Sequence, residues 1–199
     1  MDAHVEMMPM LRWMIGRNGS QRTAQSLYDA IVAQSRLPVF YRDHCVPDTV
    51  TGRFEMIVLH MFLVLERLQA EPGDAAEPAQ RLAQALNEAF MANLDDAMRE
   101  MGVADVRVGQ RMHQAAGAFF GRLMAYRKAI TAPEAGSPDP LAAAIARNIL
   151  VEVSDGAAVA ARALALYTRT AATGLERQPG TDLMAGMVHF PTPAAAARP

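Results

Sequence analysis

Apolar residues recur at intervals of three and four along most of the chain, which is the period of an amphipathic α-helix. The clearest case follows residues 46–49, where Asp48, Thr49 and Thr51 are all credible helix caps. The apolar positions there are Phe54, Ile57, Val58, Met61, Phe62, Leu65 and Leu68. Leu59, Leu63 and Val64 widen this apolar face, so the pattern predicts a central helix that is buried on most sides.

The same period predicts five further helices, over about 22–36, 78–101, 108–130, 140–153 and 154–172. Pro38 ends the first of these, and Gly102 in a left-handed conformation ends the second. Asp139 and Pro140 cap and start the helix over 140–153. In 108–130 the residues expected to face inward are Met112, Ala116, Phe119, Phe120, Leu123 and Met124. No alternating strand pattern is present, so we predict an all-α, single-domain bundle of about six helices with no β-sheet.

The chain divides into three predicted segments. Residues 1–19 form a Met-rich amphipathic segment that ends at Asn18-Gly19, with Ser20 as N-cap of the next helix. Residues 20–173 form the helical domain, in which 39–41 are expected to be extended and pinned on the core, and residues 174–199 form a flexible tail. The N-terminal segment, with Leu11 and Trp13, is expected either to pack on its own core or to touch a membrane or a hydrophobic client.

Composition narrows the class of protein. Apolar residues make up 51% of the 199 residues and charged residues 20%, which excludes a disordered chain. The formal charge of −2 gives no general attraction to nucleic acid, and eighteen arginines against one lysine are typical of a GC-rich genome. No apolar run approaches the ~20 residues of a membrane span. Cys45 is the single cysteine, so no intramolecular disulfide can form. Asp2 and Glu6 are negatively charged, whereas the start of a signal peptide is positively charged, so we expect the protein to be cytoplasmic.

No catalytic constellation emerges. No two histidines lie within ten residues, whereas helical metal sites need ligands one turn apart. The acidic group around Asp96 and Glu100 includes Arg99, which indicates a solvated or ion-paired face. There is no nucleophile elbow, phosphate-binding loop or basic recognition helix. We therefore expect no enzyme activity, cofactor, metal, small-molecule substrate or direct DNA binding.

Small side chains at intervals of four form a stripe on the helix over 108–130. Gly117, Gly121 and Ala125 would let another helix approach closely. The approaching helix is expected to be one of the protein's own, and the alternative is a groove for a client helix. Charged residues near this stripe either form inter-helix ion pairs or are ordinary surface charges, and the spacing favours neither. They are Arg53, Glu55, Asp95, Asp96, Arg99, Glu100 and Arg122.

Four stretches carry a resemblance to a known family, and they occur in the family's order within residues 22–130. They are residues 28–41 (YDAIVAQSRLPVFY), 45–60 (CVPDTVTGRFEMIVLH, continuing to Arg67-Leu68), 94–105 (LDDAMREMGVAD) and 119–126 (FFGRLMAY). Together they resemble the ubiquinol–cytochrome c chaperone family. The chain departs from the family pattern where Cys45 and Ala104 stand in place of glycines and Phe120 in place of a tyrosine.

The resemblance implies an assembly chaperone rather than an enzyme. Its partner would be nascent or unassembled cytochrome b on the way to the bc1 complex, with the ribosome or a membrane surface as further contacts. The protein would then lie in the cytoplasm, peripherally associated with the inner face of the cytoplasmic membrane. The residues proposed to bind the client are Leu11, Trp13, Arg53, Glu55, Asp96, Arg99, Glu100, Gly117, Gly121, Arg122 and Tyr126.

Two other functions stay open from the residues alone. One is a helical-bundle enzyme or small-ligand-binding module with a pocket between helices. The other is a regulatory adaptor with an unrelated partner. Metal analysis and a ligand screen would favour the ligand-binding module, whereas co-purification with nascent cytochrome b would select the chaperone.

Overall fold

A computed structural model describes residues 7–100, 102, 105–133, 139–153 and 156–194, with the backbone alone for 7–18 and 105–107. The described residues form helices and connecting segments and contain no strand, which confirms the all-α prediction. The helices are α1 (Met7–Ser35), α2 (Pro38–Arg42), α3 (Val50–Gln69), α4 (Ala76–Glu100), α5 (Asp105–Ile130), α6 (Pro140–Asn148), α7 (Ala157–Arg177) and α8 (Gly180–Met184).

Helix α3 is the centre of the bundle, as its wide apolar face predicts. It packs against α1, α4, α5 and α7. Thr49 caps it, since the Thr49 hydroxyl accepts a hydrogen bond from the Gly52 amide at 3.1 Å. Met56, Leu59 and Met61 are completely buried.

Helix α1 corrects the predicted N-terminal boundary. The sequence predicts a helix end at Asn18-Gly19 and a new N-cap at Ser20, but one helix runs through all three residues. Asn and Gly lower helix propensity by about 1 kcal/mol each at most, and neither removes a backbone hydrogen bond as proline does. The C-terminal half of α1 buries Ala24, Leu27 and Ile31.

Residues 39–41 are also not extended as predicted, because they form the short helix α2. Pro38 occupies its first turn, where its fixed φ suits a helix. The Asp43 amide donates to the Val39 carbonyl at 2.9 Å. This turn carries Phe40 into the core, where its ring is fully buried.

Several predicted boundaries are confirmed. Gly102 has φ +75° after α4, in the left-handed region expected of a glycine helix stop. Asp139 caps α6, since its carboxylate accepts from the Leu141 amide at 3.0 Å. Helix α6 then packs between α5 and α7. Arg169 of α7 donates to Asp139 at 2.8 Å and so joins α7 to the start of α6.

Residues 174–194 differ from the flexible tail that the sequence predicts. Helix α7 continues past Gly174 to Arg177, and α8 follows, with Leu183 buried in the core. Arg67 of α3 donates to the carbonyls of Leu175 and Gln178 at 2.8 and 3.0 Å, so it neutralises the carbonyl end of α7. Residues 195–199 lie outside the described part, and the division into three separate segments stays a prediction.

Candidate binding surface

A buried ion pair joins α3 to α5. Glu55 is 1% exposed, and its Oε2 lies 2.5 Å from Nε of Arg122. Arg122 also donates to the Ala118 carbonyl, one turn earlier on α5, at 3.2 Å. Burial raises the pKa of Glu55, whereas the Arg122 guanidinium lowers it. The pair therefore fixes the register of α5 on the central helix and confirms the predicted inter-helix pairing of these two residues.

Tyr126 lies one turn beyond Arg122 and is completely buried. Its ring packs against Phe62 of α3 at a centroid distance of 5.7 Å. Burial raises the pKa of Tyr126, the charge of Glu55 raises it further, and Asn148 and Arg122 lower it. The hydroxyl makes no well-formed hydrogen bond with a described residue. Tyr126 thus lies beneath the ion pair, and a client could reach it only through a rearrangement of α5.

The small-residue stripe faces away from the bundle. Gly117 and Gly121 are exposed, and a Cβ built on either glycine would meet no described atom within 4 Å. Phe120 and Met124, predicted to face inward, are 54% and 62% exposed. The expectation that one of the protein's own helices covers the stripe is therefore wrong for the part of the chain that the structure describes. We call Gly117, Phe120, Gly121 and Met124 the α5 face.

Helix α5 carries far more positive than negative charge. Its basic residues are Arg107, Arg111, Arg122, Arg127 and Lys128, and its one acidic residue is Asp105. Two of these charges are already paired within the fold, since Arg122 binds Glu55 and Arg127 binds Glu66. Arg111 and Lys128 are exposed on either side of the α5 face. The face therefore combines large apolar side chains with a basic margin.

The other predicted site residues do not join this cluster. Arg53 pairs locally with Asp48 at 2.7 Å, near the start of α3. Arg99 pairs with Asp95 at 2.8 Å within α4, and the neighbouring Asp96 and Glu100 are exposed near the end of that helix. The predicted inter-helix pairing is therefore wrong for Arg53, whose partner is local. For Asp96, Arg99 and Glu100 it stays a prediction.

Leu11 and Trp13 lie in the first turns of α1. The side chains of these two residues fall outside the described part. Their predicted contact with the client stays a prediction.

Sequence reasoning missed a buried polar network around His60. Nδ1 of His60 lies 2.7 Å from the Met56 carbonyl and Nε2 lies 2.8 Å from the Tyr167 hydroxyl, which in turn accepts from Gln34 at 3.0 Å. Gln34 also donates to the carbonyl of Pro191 at 3.2 Å, so the network holds the C-terminal segment. No signal in the spacing could have found these partners, because they lie on three separate helices.

An inter-helix cleft of about 430 Å³ lies between α3 and α7. Two of its charged lining residues already serve the fold, since Glu66 pairs with Arg127 and Arg67 pairs with Glu71 at 2.5 Å. Arg169 donates to Asp139 and to the Ile130 carbonyl. Within the described residues no group of three or more metal-ligating side chains converges. In the same part of the chain, no helix has the length and apolar character needed to cross a membrane.

Comparison with known proteins defines the class. The family model "Ubiquinol-cytochrome C chaperone" matches residues 42–190, which cover α3 to α8 and the whole α5 face. The chain belongs to the ubiquinol–cytochrome c chaperone family. This confirms the resemblance carried by the sequence motifs and extends it beyond residue 130 to the C-terminal segment.

Two individual proteins are similar to the chain. The crystal structure of the Cbp3 homolog from Brucella abortus superposes with a TM-score of 0.74 at 30% identity, over 94% of this chain and 97% of that one. Ubiquinol-cytochrome c reductase complex assembly factor 1 of Drosophila melanogaster is 26% identical over 109 residues. That alignment covers 54% of this chain and 42% of the fly protein, so the chain spans less than half of its curated relative.

Proposed function

We propose that this protein is an assembly chaperone that supports biogenesis of the respiratory bc1 complex, ubiquinol–cytochrome c reductase. The observation that carries the proposal is the family match over residues 42–190. The fly relative is named as an assembly factor of that complex, and the Brucella structure shares the fold over nearly its whole length. We propose no catalytic step, because the described polar clusters serve the fold.

The proposed client is newly synthesised or unassembled cytochrome b. Membrane-spanning helices expose about 20 consecutive apolar residues and aggregate in water before they insert. A holdase for such a helix needs an apolar surface that remains open in the free protein. The α5 face has this property, because Phe120 and Met124 are more than half exposed.

We propose that the client docks on the α5 face. Gly117 and Gly121 leave a shallow channel beside Phe120 and Met124, and small residues let the backbones of two helices approach closely. The buried Glu55–Arg122 pair lies behind this face and holds α5 rigid. Leu11 and Trp13 are proposed as a second apolar contact, and Asp96, Arg99 and Glu100 as a polar one.

The place of action is proposed to be the inner face of a bacterial cytoplasmic membrane, where cytochrome b would be inserted. The basic margin of the α5 face supports this location, because anionic lipids attract exposed Arg and Lys side chains. Contact with the ribosome would bring the chaperone to the client during synthesis.

Deletion of the gene tests the proposed function. Membrane cytochrome b and quinol–cytochrome c reductase activity should fall in the deletion strain, while other respiratory enzymes persist. Normal levels of the bc1 complex in that strain would refute the proposal.

Complementation with Gly121→Leu tests the α5 face. A leucine there fills the channel but meets no described atom within 4 Å, so the melting temperature should not fall. Capture of cytochrome b should decrease severalfold. Gly109→Leu is the matched control, since Gly109 is an equally open glycine of the same helix that lies about 18 Å before Gly121 along the helix axis. Equal capture by the two variants would exclude the α5 face as the docking site.

A further inference from the structure

A second surface feature lies away from the α5 face. A cleft of about 600 Å³ opens where the C-terminal end of α1, helix α2 and the N-terminal end of α3 meet. Its lining residues are Arg36, Pro38, Tyr41, Arg42, Asp48 and Arg53. Three guanidinium groups, from the turn after α1, from α2 and from α3, therefore share one small cleft.

The acidic side chains at this cleft do not neutralise the whole positive charge of its arginines. Asp48 accepts from Arg53 at 2.7 Å, and Asp43 accepts twice from Arg42 at 2.9 Å. Arg36 is exposed and forms no ion pair with a described residue. Three positive and two negative side chains leave an excess of one positive charge, which is carried by Arg36.

Hydrogen-bond donors remain available after the internal pairs are made. Arg53 gives only its Nε to Asp48, so its two terminal nitrogens can still donate. The Arg36 guanidinium donates no hydrogen bond to a described residue. Tyr41 holds the floor of the cleft, because its hydroxyl donates to the Ser35 carbonyl at 2.7 Å. Burial raises the pKa of Tyr41 most strongly, the charge of Asp48 also raises it, and the charges of Arg53 and Arg36 lower it.

The first turn of α3 adds to the positive potential. Arg53 lies in that turn, next to the amide end of a 20-residue helix, where the helix dipole favours an anion. Val50, three residues earlier on the same side of the helix, is 68% exposed. An apolar side chain therefore stands beside the basic cleft.

We propose that this cleft binds a phosphate group, supplied either by inorganic phosphate or by the headgroup of an anionic lipid. Guanidinium forks match the oxygens of phosphate and bind them through charge-assisted hydrogen bonds. Arg36 and Arg53 make the principal contacts, and Arg42 remains paired with Asp43. The site does not depend on the proposed chaperone function, because it shares no residue with the α5 face.

Two binding measurements on the purified full chain test the site. Inorganic phosphate is titrated by calorimetry in low-salt buffer, and phosphatidylglycerol vesicles are tested by co-sedimentation, with phosphatidylcholine vesicles as the uncharged reference. The double variant Arg36→Gln/Arg53→Gln should weaken binding at least about tenfold, since each lost charge-assisted bond approaches a tenfold effect. Thermal melting checks that the variant is folded.

The control variant is Arg81→Gln/Arg162→Gln. Arg81 is 55% exposed and pairs locally with Glu77, as Arg53 is 54% exposed and pairs with Asp48. Arg162 is exposed on α7, so the control removes the same total charge. Loss of phosphate binding in the cleft variant alone supports free phosphate as the ligand, and loss of vesicle binding alone supports the lipid headgroup. Equal binding by the cleft and control variants in both measurements would overturn the proposal.

Discussion

His60 and Tyr167 form a buried hydrogen bond of 2.8 Å between residues that are 107 positions apart. The tautomer follows from the partners. The Met56 carbonyl can only accept, so Nδ1 of His60 carries the proton and Nε2 accepts from the Tyr167 hydroxyl. Phe190 packs edge-on against the imidazole at 5.1 Å. A neutral histidine therefore links α3, α7 and the C-terminal segment.

This arrangement predicts acid sensitivity. Burial lowers the pKa of His60 to about 4 from an ordinary value near 6.5. The unfolded chain therefore binds a proton before the folded one does. The stability contributed by neutral His60 is complete above pH 6.5 and is lost as the pH falls through 4, with a total loss of about 3 kcal/mol.

Urea denaturation between pH 7 and pH 4 measures the loss. Carboxyl groups also titrate in this range, so the comparison is made with His60→Gln, which has no titrating side chain at this position. The variant should show a smaller fall in unfolding free energy than the parent. Parallel pH profiles for the two proteins would contradict the assignment.

Removal of Arg122 should be costly. In Arg122→Leu the carboxylate of Glu55, 1% exposed, loses its charged partner, and breaking a buried pair in this way costs about 3 kcal/mol. Adding Glu55→Gln to the same protein should recover part of the loss, because no buried charge remains. Arg53→Leu is the control and should change stability little, since its pair with Asp48 is exposed. A double variant no more stable than Arg122→Leu would count against this account.

Cys45 is strained in the backbone. Its φ is +55°, in the left-handed region where a side chain costs about 1 kcal/mol and glycine costs least. Cys45→Gly should therefore raise the melting temperature. Cys45→Ala removes the thiol and keeps the strain, so it should melt near the parent protein. A stabilisation shared by both variants would point to the thiol instead.

Gly180 allows close contact between the start of α8 and Glu71, which lies just after the end of α3. A Cβ at this position would overlap the carboxylate of Glu71, which pairs with Arg67. Gly180→Ala should displace Glu71 and destabilise the protein by about 1–3 kcal/mol. Gly174→Ala, in the last turn of α7 with nothing within 4 Å, should stabilise the protein by up to about 1 kcal/mol. Urea denaturation of both variants measures their free energies of unfolding. A Gly180→Ala protein as stable as the parent would show that Glu71 can move without loss of stability.

The local pattern of the sequence determined the helices and the fold class. The three- and four-residue spacing in α3, the cap at Thr49, the start of α6 at Asp139 and the stop at Gly102 all depend on residues within one or two turns. Such features can be derived from the sequence because helix formation and capping are short-range interactions. The motifs between residues 28 and 126 likewise indicated the family before any tertiary contact was known.

Tertiary structure alone decided which side of each helix is covered. Phe120 and Met124 have the apolar character of core residues, yet no described helix packs over them, because Arg122 of the same helix pairs with Glu55 on α3 and turns α5 in that direction. The C-terminal segment has little local preference for order and is held by Gln34, Arg67 and His60, which lie more than 100 residues away. Sequence spacing cannot report these contacts, because they depend on where distant helices meet in the folded chain.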